Sequence, residues 1–324
     1  PNDWRTRGLC KWKAYQSSRV KMDLPVVNHE DYFAKIGDDH KFPINKFGEL
    51  ANYLTQNKIV SKFHKPSACS FETLSYAHSK NYILDIKNKT LSKEGVKKIG
   101  FPLVDSVVQR SLVATGGTVL ASKLAINYGI SCNTAGGSHH ASYDGGAGYC
   151  VFNDVAVAAH YLLNRGLANR ILIVDLDVHQ GNGNSEIFKD NRSVFTFSMH
   201  SKTNYPAKKS NSDLDVELED NLEDDAYIKT LKHYLKELNQ ENFDFIFYIA
   251  GVDIHFNDRL GKLKISDEGI KLRDELVVEN FFSRRIPFCG VLGGGYNKDF
   301  NKLVELHSML HQSCAKYIGS WQKK

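Results

Sequence analysis

The chain has 324 residues, with 42 Lys and Arg against 37 Asp and Glu, a formal charge of +5, 42% hydrophobic residues and 13 His. That length suits one large domain, and +5 is too dilute for direct nucleic acid binding, which needs a concentrated basic face. No run approaches the roughly 18 apolar residues of a membrane span, and the start, Pro1-Asn2-Asp3-Trp4-Arg5, lacks the apolar core of a signal peptide. The expectation is an intracellular, cytoplasmic protein with no membrane association, the nucleus not excluded.

Residues 1–23 are polar and basic and read as an N-terminal arm, ahead of one domain over 24–324. A short apolar run, Leu24-Pro25-Val26-Val27, leads to a helix whose buried stripe is Phe47, Leu50, Leu54 and Ile59. A second helix is predicted over 74–86 and a long one over 103–128, where Gly116-Gly117 marks tight packing or a bend. The Lys-rich segment 87–98 reads as solvated surface.

Beyond Gly129 the pattern alternates. Strands are predicted at 131–135, 171–176, 194–199, 243–250 and 286–292, and helices at 153–165, 224–239, 266–283 and 301–317. The acidic stretch from Asp213 to Asp225 reads as a solvated loop leading into a helix, its acids complementing the helix dipole. Nearly continuous apolar strands such as Ile171-Leu172-Ile173-Val174 predict a single-domain α/β fold, a parallel sheet flanked by helices on both faces. In such sheets ligands bind beyond the carboxyl ends of the strands, so polar residues just after apolar runs are the candidates.

The six cysteines, Cys10, Cys69, Cys132, Cys150, Cys289 and Cys314, form no CxxC pair, so any metal must be held by His and carboxylates. Asp175-Leu176-Asp177-Val178-His179-Gln180-Gly181-Asn182-Gly183 follows one predicted strand. Residues two apart in extended chain share a side, so Asp175, Asp177 and His179 project together, and an Asp-x-His pair is part of a zinc site. Asp253, after Ala250-Gly251-Val252, is the best further ligand, although alone it would read equally well as a turn or N-cap carboxylate. Gly136-Gly137-Ser138-His139-His140 and Gly293-Gly294-Gly295-Tyr296 lie beyond two other strands. Separately these are surface histidines and a tight turn. Together, a metal site, acid/base imidazoles and a Tyr hydroxyl aimed at an oxyanion are the equipment of metal-assisted amide hydrolysis.

These runs, with Gly148-Tyr149-Cys150-Val151-Phe152-Asn153-Asp154, resemble the zinc-dependent histone deacetylase family in order and spacing from about Leu24 to the last helix. Gln180, Asp258-Arg259-Leu260-Gly261 and Arg273-Asp274-Glu275-Leu276-Val277 look most like its class IV branch and the bacterial relatives. The resemblance implies an arginase/deacetylase-like fold. It implies Zn2+ on Asp177, His179 and Asp253; His140 as general base, hydrogen-bonded by Asn182; His139 as electrostatic partner, held by Asp175; and Tyr296 as oxyanion donor. It also implies a structural K+ near Asp175, Ser198, Met199 and the carbonyls of Asp177 and His179.

By the same resemblance the acyl-lysine channel is walled by Tyr149, Tyr205 and Leu260, beside Gly148. Relatives often carry a large aromatic where this chain has Ser138, which implies tolerance of longer acyl chains. Cys150 reads as a packing thiol. The implied function is removal of acetyl or longer acyl groups from the ε-amine of lysine in proteins or peptides. An acetylpolyamine or small acyl-amine amidohydrolase is the rival enzyme. The rival outside enzymes, an acyl-lysine reader or scaffold, is opposed by the intact ligand and His set.

Overall fold

The computed structural model describes residues 23–319 and Trp321. The expected N-terminal arm lies outside the described residues except for Asp23, whose carboxylate accepts the Ser61 N–H at 2.6 Å. In chain order the elements are β1 (Val26–Val27), α1 (Lys46–Gln56), β2 (Phe63–His64), α2 (Phe71–Leu74), α3 (Lys80–Asn88), α4 (Lys93–Ile99) and α5 (Asp105–Tyr128). Then follow β3 (Ile130–Asn133), α6 (Asp154–Asn164), β4 (Ile171–Asp175), α7 (Asn182–Phe188), β5 (Val194–Ser201) and β6 (Leu214–Leu218). The chain closes with α8 (Asp224–Leu238), β7 (Phe245–Ile249), α9 (Asp267–Phe282), β8 (Phe288–Val291) and α10 (Phe300–Ala315). No described helix is long and apolar enough to cross a membrane.

The strands form one eight-stranded sheet in the order β2-β1-β3-β8-β7-β4-β5-β6, and every pairing is parallel. β3, β4, β7 and β8 are buried along their whole length, as their continuous apolar sequences require when helices cover both faces. Each central strand stops one or two residues before its predicted end, and the released residues, such as Leu176, Ala250 and Leu292, open the loops that carry the polar motifs. Side-chain oxygens of Ser79, Asn153, Ser266 and Asp299 accept N–H groups of the first turns of α3, α6, α9 and α10, fixing where those helices begin.

The helix predicted over 74–86 is two helices. α2 stops at Leu74, and Ser79, bonded to the Tyr82 N–H, starts α3 on a new axis. Ile59 lies past the end of α1 and still packs on the core. α5 runs unbroken through Gly116-Gly117, and the reason is close approach: a Cβ on Gly116 would strike the Ser67 carbonyl and one on Gly117 the Tyr32 hydroxyl. The acidic stretch is not simply a solvated loop. Residues Leu214, Val216 and Leu218 alternate on one side of β6, which pairs with β5 at the sheet edge, while Asp213 accepts the Thr196 N–H at 2.8 Å. Charge masked that period-two pattern. Segment 87–98 is largely exposed, as expected, although α4 forms within it.

Candidate metal and catalytic site

The four central neighbours β3, β8, β7 and β4 send their carboxyl ends to one place. Past β4 come Asp177 and His179, past β7 Asp253, past β3 the His139-His140 pair and past β8 the Gly293–Tyr296 turn. They surround a cavity of about 310 Å3 lined by His139, His140, Asp177, His179 and Tyr296 among others. The predicted channel residues Ser138, Gly148, Tyr149, Tyr205 and Leu260 line the same cavity.

One donor atom from each of Asp177, His179 and Asp253 lies within 4.8 Å of the others. His179 Nδ1 faces both carboxylates, 3.0 Å from Asp177 Oδ1 and 3.1 Å from Asp253 Oδ2. Backbone amides hold the outer oxygens, Val178 N–H donating to Asp253 Oδ1 (2.9 Å) and Gly294 N–H to Asp177 Oδ2 (2.6 Å). Asp253 Oδ2 is buried and, apart from the His179 Nδ1 it shares with Asp177, has no hydrogen-bond partner among the described residues. An orphaned carboxylate oxygen is costly unless a cation completes it. Burial and the neighbouring Asp177 charge push the Asp253 carboxyl up to about 7, the strain that a bound cation removes. Two glycines keep the space open: a Cβ on Gly251 would run into Asp177, and one on Gly294 would lie 2.8 Å from Asp177 Oδ2 and closer still to Asp253. An all O and N donor set with an unfilled acceptor fits a divalent metal such as zinc.

The two histidines are dressed differently. His139 Nδ1 lies 2.7 Å from Asp175 Oδ2, and His140 Nδ1 lies 2.8 Å from Asn182 Oδ1. Burial alone would depress both imidazoliums. For His139 the charges of Asp175 and Asp177 outweigh burial and raise it to about 9, whereas for His140 burial is reinforced by the positive charge at His139, which holds it well below its usual value. Gly148, at φ +53°, lets the backbone pass His140, since a Cβ there would meet its Cδ2 at 2.6 Å.

Tyr296 is fixed through its backbone. Its N–H donates to Asp258 Oδ2 (2.7 Å) and its carbonyl accepts from Arg259 Nε (2.8 Å), while its ring lies against Phe42 and Tyr149. Tyr149 also packs on Phe101 and His40. Tyr205, 45% exposed, meets the His140 ring edge-on at 4.8 Å, and Leu260, 36% exposed, sits beside it at the mouth. Cys150 is buried with its thiol pushed up to about 12 by burial, the state of an inert packing residue. Asp175 and Ser198 face each other in the β4–β5 register, with Ser198 Oγ 2.9 Å from His200 Nδ1.

A Histone deacetylase domain model matches residues 40–309. The chain belongs to the histone deacetylase family. It is 43% identical over 296 residues to an uncharacterized protein of Picosynechococcus sp., covering 90% of this chain and 99% of that one. It is 32% identical over 311 residues to Histone deacetylase 2 of Arabidopsis thaliana, covering 89% and 80%. A crystal structure of an HDAC homolog complexed with SAHA superposes with a TM-score of 0.77 at 22% identity over 91% of this chain and 84% of that one, which shows the shared arginase/deacetylase fold.

Around the site this deacetylase-family chain uses residues that sequence reasoning missed. Lys46, 1% exposed at the start of α1, donates to the Gly293 carbonyl (3.2 Å) and lies 3.3 Å from His307 Nε2; burial brings its ammonium down to about 8. Asp154 accepts the N–H groups of Gly137 (3.1 Å) and Ser138 (2.7 Å), holding the turn before the histidines. His78 bridges the Ser142 carbonyl and the Asn153 N–H, each at 2.9 Å. Asp258 and Arg259, quoted in the sequence for their likeness to class IV, also hydrogen-bond the Tyr296 backbone. Lys46, Arg110, Phe42 and Phe47 come from the first half of the chain, and a lysine beside an apolar helical stripe gives no sign of which way it points.

Proposed function

We propose that this protein is a zinc-dependent hydrolase that removes acetyl or longer acyl groups from the ε-amine of lysine in proteins or peptides. The observation that carries the reading is the opposite setting of two adjacent buried histidines, one on a carboxylate and one on an amide, beside a three-donor metal cradle. Zinc held by Asp177, His179 and Asp253 would supply Lewis acidity for water and the acyl carbonyl.

The chain's own residues supply the rest. Asn182 Oδ1 accepts the Nδ1 proton of His140, which leaves the Nε2 lone pair free in a neutral imidazole, the form needed to take a proton from water and pass it to the leaving amine. His139, kept cationic by Asp175, steadies the negative charge that develops beside it. The Tyr296 hydroxyl donates to the carbonyl oxygen as it gains charge. Aromatic walls at Tyr149 and Tyr205 suit the methylene stem of a lysine.

Class IV membership is part of the same reading. Gln180 supports it by knitting the ligand loop to β6, donating to Asp215 Oδ1 (2.9 Å) and accepting the Ser210 N–H (2.8 Å). A K+ at Asp175 and Ser198 is supported by their paired register and by the neighbouring His200, held neutral by burial that lowers it to about 4. The test is deacylation of acetyl-lysine peptides and acetylpolyamines by zinc-loaded and chelator-treated protein. Chelator-sensitive turnover of the peptide is expected. Turnover of the polyamine alone, or none, overturns the proposal.

A further inference from the structure

The cavity does not end at the metal cradle. Its mouth residues Tyr205 and Leu260 are 45% and 36% exposed, whereas Phe42, Phe47 and Arg110, which line it with Ser138, are 8%, 3% and 8% exposed and form its inner wall. Ser138, where relatives often carry a large aromatic, lines the same cavity as these three.

Arg110 is the unusual member. Its Nε donates to the Tyr32 carbonyl (3.1 Å), and its guanidinium carbon lies 4.8 Å from the Phe47 ring centroid, 5.5 Å from Phe42 and 5.7 Å from Phe101. Neither Nη has a hydrogen-bond partner among the described residues, and Arg110 forms no ion pair with any of them. The Asp154 carboxylate acts on Arg110 only through space, its hydrogen bonds going to Thr118, Gly137 and Ser138. Burial lowers the guanidinium to about 10, so it remains charged at neutral pH. Lys46 Nζ, 5.4 Å from the same Phe42 ring, adds a second buried cation nearby. A buried guanidinium fork with two free Nη groups on a cavity wall is a poor neighbour for a purely apolar chain and the geometry that takes a carboxylate with two parallel hydrogen bonds.

We infer that Arg110 receives the distal carboxylate of an ω-carboxyacyl group, so that Nε-succinyl- or Nε-glutaryl-lysine is the preferred substrate class of this site. This rests on the proposed lysine deacylation and deepens it. Hydrolysis breaks the amide C–N bond: water's hydroxyl goes to the acyl carbon, its remaining proton to the lysine amine, and the dicarboxylate leaves. The same guanidinium would meet the new carboxylate of any product, but that would favour no acyl group over another.

Butyryl and succinyl chains have equal carbon counts and differ at the far end, so they isolate this contact. Zinc-loaded enzyme should show kcat/KM on a succinyl-lysine peptide at least about tenfold above the butyryl peptide, the scale of a charged hydrogen-bonded pair. Arg110→Met, which keeps the apolar stem, should bring the succinyl-to-butyryl ratio near one. Arg110→Lys, the more conservative variant should Met not fold, should keep part of the preference. Fluorescence anisotropy of labelled peptides on Tyr296→Phe protein, where turnover is expected to be slow, should give the same ranking in Kd. Butyryl preferred by the wild type, or a ratio unmoved by Arg110→Met, overturns the inference. If acetyl peptide is cleaved and succinyl is not favoured, the inference alone fails; if no acyl peptide is cleaved, the lysine deacylase reading fails, and the anisotropy ranking still decides the role of Arg110.

Discussion

Replacing Gly294 by Ala adds one methyl group beside the metal cradle. The added carbon would lie 2.8 Å from Asp177 Oδ2 and closer still to Asp253 Oδ2, where ordinary contact begins near 3.4 Å. Each carboxylate must therefore retreat by at least about 0.5 Å, against a metal–ligand tolerance of ~0.2 Å. The φ of Gly294 is not in the left-handed region, so the backbone itself accepts Ala and the effect is steric and local. Loss of ligand support of this kind costs about 10–100-fold in metal affinity when only an outer partner is disturbed, and here two proposed ligands move at once. Zinc affinity from competition with a chromophoric chelator should fall by at least about 100-fold, with the far-ultraviolet circular dichroism spectrum unchanged. Gly145→Ala, where a Cβ meets nothing within 4 Å, should leave affinity intact. Wild-type zinc affinity in Gly294→Ala would refute the placement of the metal between Asp177 and Asp253.

Tyr296→Phe should fold and bind zinc normally, because Asp258 and Arg259 hold its backbone, yet lose about 10²–10³-fold in kcat, or ~2.7–4 kcal/mol. Near-wild-type turnover would remove Tyr296 from the oxyanion role. Asn182→Ala should cut kcat by about tenfold or more by releasing the His140 tautomer, with zinc content unchanged; an undiminished rate counts against His140 as the base. Burial lowers His78 to about 4 from 6.5. Between those values the unfolded chain binds more protons, so this contribution is complete above pH 6.5 and is lost as pH falls towards 4, amounting to about 3 kcal/mol. Urea midpoints of the wild type should therefore fall more steeply than those of His78→Gln between pH 7 and about 4.5, and identical slopes would show that His78 is not the group responsible.

Much of the site could be read from the sequence because a fully buried parallel strand leaves one kind of place for a polar residue, the point where it ends. Asp177, Asp253, His139 and Tyr296 all announce themselves that way, and the motif spacing placed them together. What surrounds them was hidden for physical reasons. Arg110 and Lys46 sit on helices whose apolar periodicity describes the core face, and a long cationic side chain can leave that face in either direction. His78 lies between two helices that sequence periodicity merged into one, since a single Ser cap is a weaker signal than the apolar stripe it interrupts. β6 was missed because it lies within the acidic run from Asp213 to Asp225, and an alternation of three apolar residues over five positions is easily masked by such a run.

The strand order also decides when the metal cradle can exist. Asp177 is bonded to Gly294 across 117 positions of chain, and the strand that brings Gly294 there, β8, lies between β3 and β7 in the sheet although it is the last strand in chain order among the described residues. A growing polypeptide thus adds roughly 110 residues after Asp177 and His179 before a place for an ion is finished. A metal captured there cannot guide early collapse; it can only reward the completed sheet by mass action. At the proposed site, metal occupancy would then report assembly: protein substoichiometric in metal would be either stripped or lacking a docked β8.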